Sequence, residues 1–236
     1  MSDEITHSPV ARRSFLSRFG IGIAAVGATT AAAVPAIAQQ ARGPAGFQPA
    51  RHPLDDWMDQ PAGKHRFVFD TTSPEAAGGS LLYANNFFTA NKASYNLEPS
   101  DLAIIIVMRH FSTPFAYNNM IWGKYGKQIS GALHFTDPKT KQAPSTNLYM
   151  SADYGFDLPN FGTTLDSLAQ KRVQFAVCDM ATHFFAGMLA DQTKGNADAI
   201  YRELVANVIP NSHMVPAGIV AVNRAQERGY TFSYVT

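Results

Sequence analysis

The chain is 236 residues long, with 19 basic and 18 acidic side chains, 46% apolar residues and one cysteine. So even a charge balance gives no electrostatic reason to expect nucleic acid or an anionic membrane surface, and a single cysteine excludes any intramolecular disulfide. No apolar run reaches the roughly 18 unbroken residues of a membrane span, so no stable membrane insertion is expected.

Ala11-Arg12-Arg13-Ser14-Phe15-Leu16 precede an apolar stretch, Ile21 to Ala33, and then Ala36-Ile37-Ala38. A basic start, a short apolar core and a small-x-small cleavage site define a secretory signal, and the paired arginines mark the twin-arginine type, whose cargo crosses the membrane folded. Residues 1–38 are therefore expected to be a signal peptide, cut after Ala38 and read by the twin-arginine export machinery. The mature protein is expected in the periplasm. Removing the signal takes away Arg12, Arg13 and Arg18 with Asp3 and Glu4, leaving 198 residues with 16 basic and 16 acidic side chains. That length suits one domain with a proper core.

Residues 39–64 are rich in Pro, Gly and Gln and read as an extended linker that docks through Trp57. The domain is expected over 65–236. Phe67-Val68-Phe69 reads as a strand ending at Asp70, and Pro74 is placed to open a helix carrying Leu81, Ala84, Phe87 and Phe88. Gly78-Gly79-Ser80 fits neither a dinucleotide nor a phosphate loop, so these glycines are expected to permit close helix packing. Leu102 to Met108 is continuously apolar, the pattern of a strand buried on both faces, and stops at Arg109-His110.

A second helix is expected from Pro114 to about Lys124. An insertion follows over about 127–160, too long for an ordinary connection. It is expected to be a lid or an interface element whose order depends on Tyr149, Tyr154 and Phe156. Thr163 to Lys171 is a short amphipathic segment, and Val173 to Cys178 is another strand. Ile200, Tyr201, Leu204, Val205 and Val208 recur at helical spacing; a last helix is expected from near Pro216 to Gly229, then a strand from Tyr230 to Val235. Alternating strands and helices predict an α/β fold with a doubly wound parallel sheet.

In that class ligands bind outside the carboxyl ends of the strands, where the winding reverses. Asp70, Arg109, His110, Cys178 and Asp179 all fall there. Cys178 is expected at the junction of its strand with a helix from about Met180, with Asp179 as N-cap. The helix terminus would favour a thiolate by about 0.3–1 kcal/mol, and an ionised Asp about 4 Å away would oppose it by about 1 kcal/mol in water. The two nearly cancel.

The run VQFAVCDMATHFFAG and the ending VPAGIVAVNRAQERGYTFSYV resemble the DsrE/DsrF-like family of sulfur-handling proteins, over about His65 to Val235. That resemblance implies a flavodoxin-like parallel sheet and assembly into homo-oligomers, trimers or hexamers. It also implies a persulfide carried on the cysteine that ends a buried strand, here Cys178. Small sulfur species would be the ligands, with Arg109 and His110 orienting an anionic group, Asp70 and Asp179 nearby, and no cofactor. Relay members of the family work in the cytoplasm, whereas Arg12 and Arg13 send this chain out.

Two rival readings are a non-catalytic oligomeric binding or assembly subunit using the insertion, and a periplasmic metal or haem protein using His110 or His183. The order of His110, Cys178, His183 and Met188 resembles a blue-copper ligand set. The spacing opposes it, because helical residues five apart differ by about 140° around the axis. No C-x-x-C-H, H-E-x-x-H, paired C-x-x-C or G-x-S-x-G occurs.

Overall fold

The computed structural model describes Gly46 and residues 48–236. The proposed signal peptide and the first part of the linker lie outside the described residues. Five parallel strands run side by side: β1 (His65–Thr71), β2 (Leu102–Met108), β3 (Gln174–Cys178), β4 (Ser212–Val215) and β5 (Thr231–Val235), in the order β4-β3-β2-β1-β5. Six α-helices alternate with them: α1 (Pro74–Tyr95), α2 (Asn119–Leu133), α3 (Leu165–Gln170), α4 (Asp179–Thr193), α5 (Ala197–Ala206) and α6 (Gly218–Glu227). This is the doubly wound α/β architecture that the alternation predicts, of the flavodoxin-like kind that the resemblance implies.

The strand order dictates which face each helix covers. From β1 through β4 the chain steps across the sheet in one direction, so right-handed crossovers put α1 to α5 on one face. The last connection reverses, from β4 back to β5 beside β1, and carries α6 to the opposite face. Side-chain alternation divides the core the same way. Phe69, Ile104, Ile106, Met108, Phe175 and Val177 pack under α1 to α5, whereas Val68, Ala103, Ile105, Val107 and Ala176 pack under α6.

The two layers are unequal. The first holds an aromatic cluster, with Phe115 centred 4.8 Å from Tyr149, 5.1 Å from Phe135 and 5.3 Å from Trp122. The second is α6 and one 3-10 helix, Pro53–Asp59, which lies within the segment read as linker. Its Trp57 and Met58 are buried, Tyr230 donates to the Met58 carbonyl at 2.6 Å, and Trp57 stacks on His213 at 4.1 Å. Asp59 accepts from Arg66 at 3.0 Å and from the fully buried Arg228 at 3.3 Å, which ties this turn to the sheet.

Two elements depart from the sequence expectation. The second helix starts at Asn119, not near Pro114. His110 takes a left-handed conformation (φ 59), Pro114 sits inside a 3-10 turn (His110–Ala116), and Asn118 caps the helix by accepting from the Met120 amide. The strand β4 was not anticipated; it has only four residues, wedged between Pro210 and Pro216. The insertion is built into the thick layer through Phe135, Leu148, Tyr149 and Leu158. Tyr149 donates to the Pro74 carbonyl at 2.7 Å and Tyr154 to Asp137 at 2.7 Å, whereas Phe156 is 87% exposed and orders nothing in the core.

Candidate functional site

The reversal fixes where a crevice must open. At the carboxyl edge the chain leaves β3 toward α4 on the thick face and leaves β4 toward α6 on the thin face, so the two connections part. A cavity of about 380 Å³ lies there, lined by Arg109, His110, Cys178, Met180, Phe184 and Gly218 among others. Its volume falls within the range of small-molecule sites.

Strand parity brings the polar groups together. Asp70, Arg109 and Cys178 share the parity of Val68, Val107 and Ala176, which face α6, and they end three adjacent strands β1, β2 and β3. Arg109 is joined to Asp70 by two hydrogen bonds, Nε to Oδ1 at 2.7 Å and Nη2 to Oδ2 at 2.8 Å. Asp70 is 2% exposed, and its bonds to the guanidinium push Arg109 above its ordinary pKa. Such a bidentate pair fixes the plane of the guanidinium as well as its charge.

The stem of Arg109 packs on the first residue of α6. A Cβ on Gly218 would sit 2.4 Å from the Arg109 Cβ, so only glycine lets the helix start this close. The loop after β2 is pinned to the end of β1: the Arg109 amide donates to Thr71 at 3.3 Å, the Phe111 amide to Thr72 at 3.0 Å, and the buried Ser112 hydroxyl to Thr71 at 2.9 Å. The left-handed His110 turns the chain there, leaving its exposed ring 4.4 Å from that of Phe111.

Cys178, a free buried thiol, is the N-cap residue of α4 but caps it with no side-chain hydrogen bond. Helix α4 begins one residue earlier than expected, so Asp179 is its first residue and not the cap. Asp179 also turns away from the cavity, accepting from Tyr201 of α5 at 2.6 Å and lying 3.6 Å from His183 Nε2. The first turn of α4 is held from beneath: Thr182 donates to the Cys178 carbonyl at 3.0 Å and Tyr117 donates to Thr182 at 3.0 Å. Burial pushes the Tyr117 hydroxyl well above its ordinary pKa, so it stays a protonated donor.

Four of the five expected residues thus form one group. Arg109, His110 and Cys178 line the cavity, Asp70 stands behind Arg109, and Asp179 belongs to a neighbouring cluster. The apolar walls, Phe111, Met180, Ala181, Phe184 and Ile219, were not foreseen. Met180, Ala181 and Phe184 follow Cys178 at helical spacing on the side of α4 opposite its core residues Phe185 and Leu189, and that pattern was available in the sequence. No residue of the insertion lines the cavity, so it is not the lid of this site.

Among the described residues, no group of three or more His, Cys, Asp or Glu is placed to hold a metal ion, and no helix is long and apolar enough to cross a membrane. His183 stacks on Tyr201 at 3.9 Å. No protein-family model and no curated protein matches the chain. A solved structure of a protein of unknown function from Methanobacterium thermoautotrophicum is similar at 13% identity and a TM-score of 0.36, with 72% of this chain and 99% of that one covered.

Proposed function

We propose that this is an exported, DsrE/DsrF-like sulfur carrier in which Cys178 accepts a sulfane sulfur. The observation that carries the reading is the position of the one thiol in the chain, on the buried floor of the carboxyl-edge cavity beside the Arg109–Asp70 pair. The thiolate Sγ attacks the outer sulfur of a donor R–S–SH, a new S–S bond forms, and the S–S bond of the donor breaks with its electron pair leaving on RS⁻. The proton given up by Cys178 goes to RS⁻, so thiol and persulfide exchange with no external oxidant.

Incubating the purified protein with an organic persulfide, R–S–SH, is expected to add one sulfur to Cys178, read by intact and peptide mass spectrometry, and Cys178→Ser is expected to add none. A Cys178 that gains no sulfur and resists alkylation in the native state sinks the reading.

A second reading, a binding or assembly subunit, is favoured by Phe156 of the insertion and Phe161 just after it, which meet edge to face at 4.9 Å on the surface. A trimeric or hexameric native mass that survives Cys178→Ser but is lost on replacing both phenylalanines by Ser would support it. A monomer that is unaffected by either change would end it.

A further inference from the structure

We infer that the ligand of this cavity is an uncharged organic sulfur compound with an apolar body, rather than an inorganic sulfur anion. The inference rests on the cavity being the sulfur-transfer site and adds the class of donor. Charge is the first argument. The single guanidinium at the site already has both oxygens of buried Asp70 on its Nε and Nη2, so the pair is neutral in sum. Beside that pair stand only the partial charges of the α4 and α6 N-termini and the exposed ring of His110, and no second Arg or Lys lines the cavity. An incoming anion would therefore enter a partly desolvated, largely apolar space with no unpaired guanidinium or ammonium to receive it, where an unpaired charge is costly.

Size and lining point the same way. A water occupies about 30 Å³ of liquid, so a cavity of about 380 Å³ is many times larger than a hydrosulfide or short polysulfide needs. The walls are Phe111, Met180, Ala181, Phe184 and Ile219, and three of them stay open to solvent: Met180 (69%), Phe184 (58%) and Ile219 (58%). Thioether and aromatic side chains make favourable contacts with sulfur and with rings. An organic body would cover this surface, and a small anion would leave it wet.

The test reads binding without chemistry, on the otherwise intact Cys178→Ser protein. Calorimetric titration compares methyl phenyl disulfide, its 4-carboxylate analogue, and thiosulfate. The neutral disulfide is expected to bind at least tenfold more tightly than the carboxylate, with no saturable binding of thiosulfate, and the surface change Phe184→Asp is expected to weaken it at least tenfold. Asp70→Asn, which frees the charge of Arg109, is expected to narrow the preference or invert it. Tighter binding of the carboxylate or of thiosulfate, no binding of the disulfide, or indifference to Phe184→Asp overturns the inference. If the disulfide binds as expected while the native Cys178 takes up no sulfur, the cavity chemistry stands and the carrier reading falls, so the two failures are separable.

Discussion

The two faces of the sheet are covered by very different amounts of protein, and the site lies on the boundary between them. Five helices and the insertion cover one face with a deep aromatic core, whereas α6 and the turn at Pro53–Asp59 cover the other. Among the described residues, nothing lies over the outer part of the thin face, where Phe232 and Tyr234 of β5 are half exposed. Stability and function are thus divided. The thick layer holds the strands and the loop after β2 in place, and the thin layer leaves Cys178 and Arg109, the latter backed by Asp70, within reach of a ligand.

The largest effect should come from breaking the thick face. Trp122 is fully buried, donates to the Pro114 carbonyl at 3.0 Å, and packs on Phe115. Trp122→Ala is expected to cost about 3–5 kcal/mol in urea unfolding, the range for a large aromatic removed from a core that cannot collapse. Trp57→Ala on the thin face should cost about 2 kcal/mol, because the turn bearing it lies at the surface where water and neighbours can fill the gap. Equal costs would show that the layers are energetically alike.

A smaller change tests the boundary. Gly218→Ala puts a methyl group where the Arg109 stem now lies, an overpacking expected to cost about 1–3 kcal/mol. Because the stem must shift while Asp70 holds the guanidinium, ligand affinity in the cavity should fall as well, read in the calorimetric titration. A stability loss with unchanged affinity would mean that the position of Arg109 does not matter to the site.

How much of this was legible in the sequence follows the same division. β2 matched its apolar run residue for residue, because a strand buried on both faces cannot hide. Gly78 lies under Tyr149, whose hydroxyl would be 2.6 Å from an added Cβ, as close packing requires. What was missed has a physical cause. β4 has four residues and packs at the sheet edge, too short to show a period, and without it neither the strand order nor the reversal at β3 and β4 can be drawn. The start of α2 was displaced because Pro114 resembles an N-terminal helix residue, whereas the real signal was the Asn118 cap. Asp179 was expected at the ligand because adjacency in sequence suggested adjacency in space; one residue of helix turns it toward Tyr201.

The finest test of the contrast uses the two tryptophans, the only two in the chain, one in each layer. His213 stacks on Trp57, bonds to Gln174 through Nε2 at 2.8 Å, and burial pushes its pKa below the ordinary 6.5. A buried histidine held neutral binds its proton later than in the unfolded chain. Above about 6.5 both states are neutral and the contribution is whole. As pH falls from there toward the lowered folded value, the unfolded state takes up the proton first and stability declines, then levels off. In single-tryptophan proteins, acidification through this window should change the fluorescence of Trp57, kept by Trp122→Phe, and leave that of Trp122, kept by Trp57→Phe, almost constant. His213→Gln should abolish the pH response of Trp57. If both tryptophans respond together, the thin layer does not loosen by itself, and the sheet with both its layers is one cooperative unit.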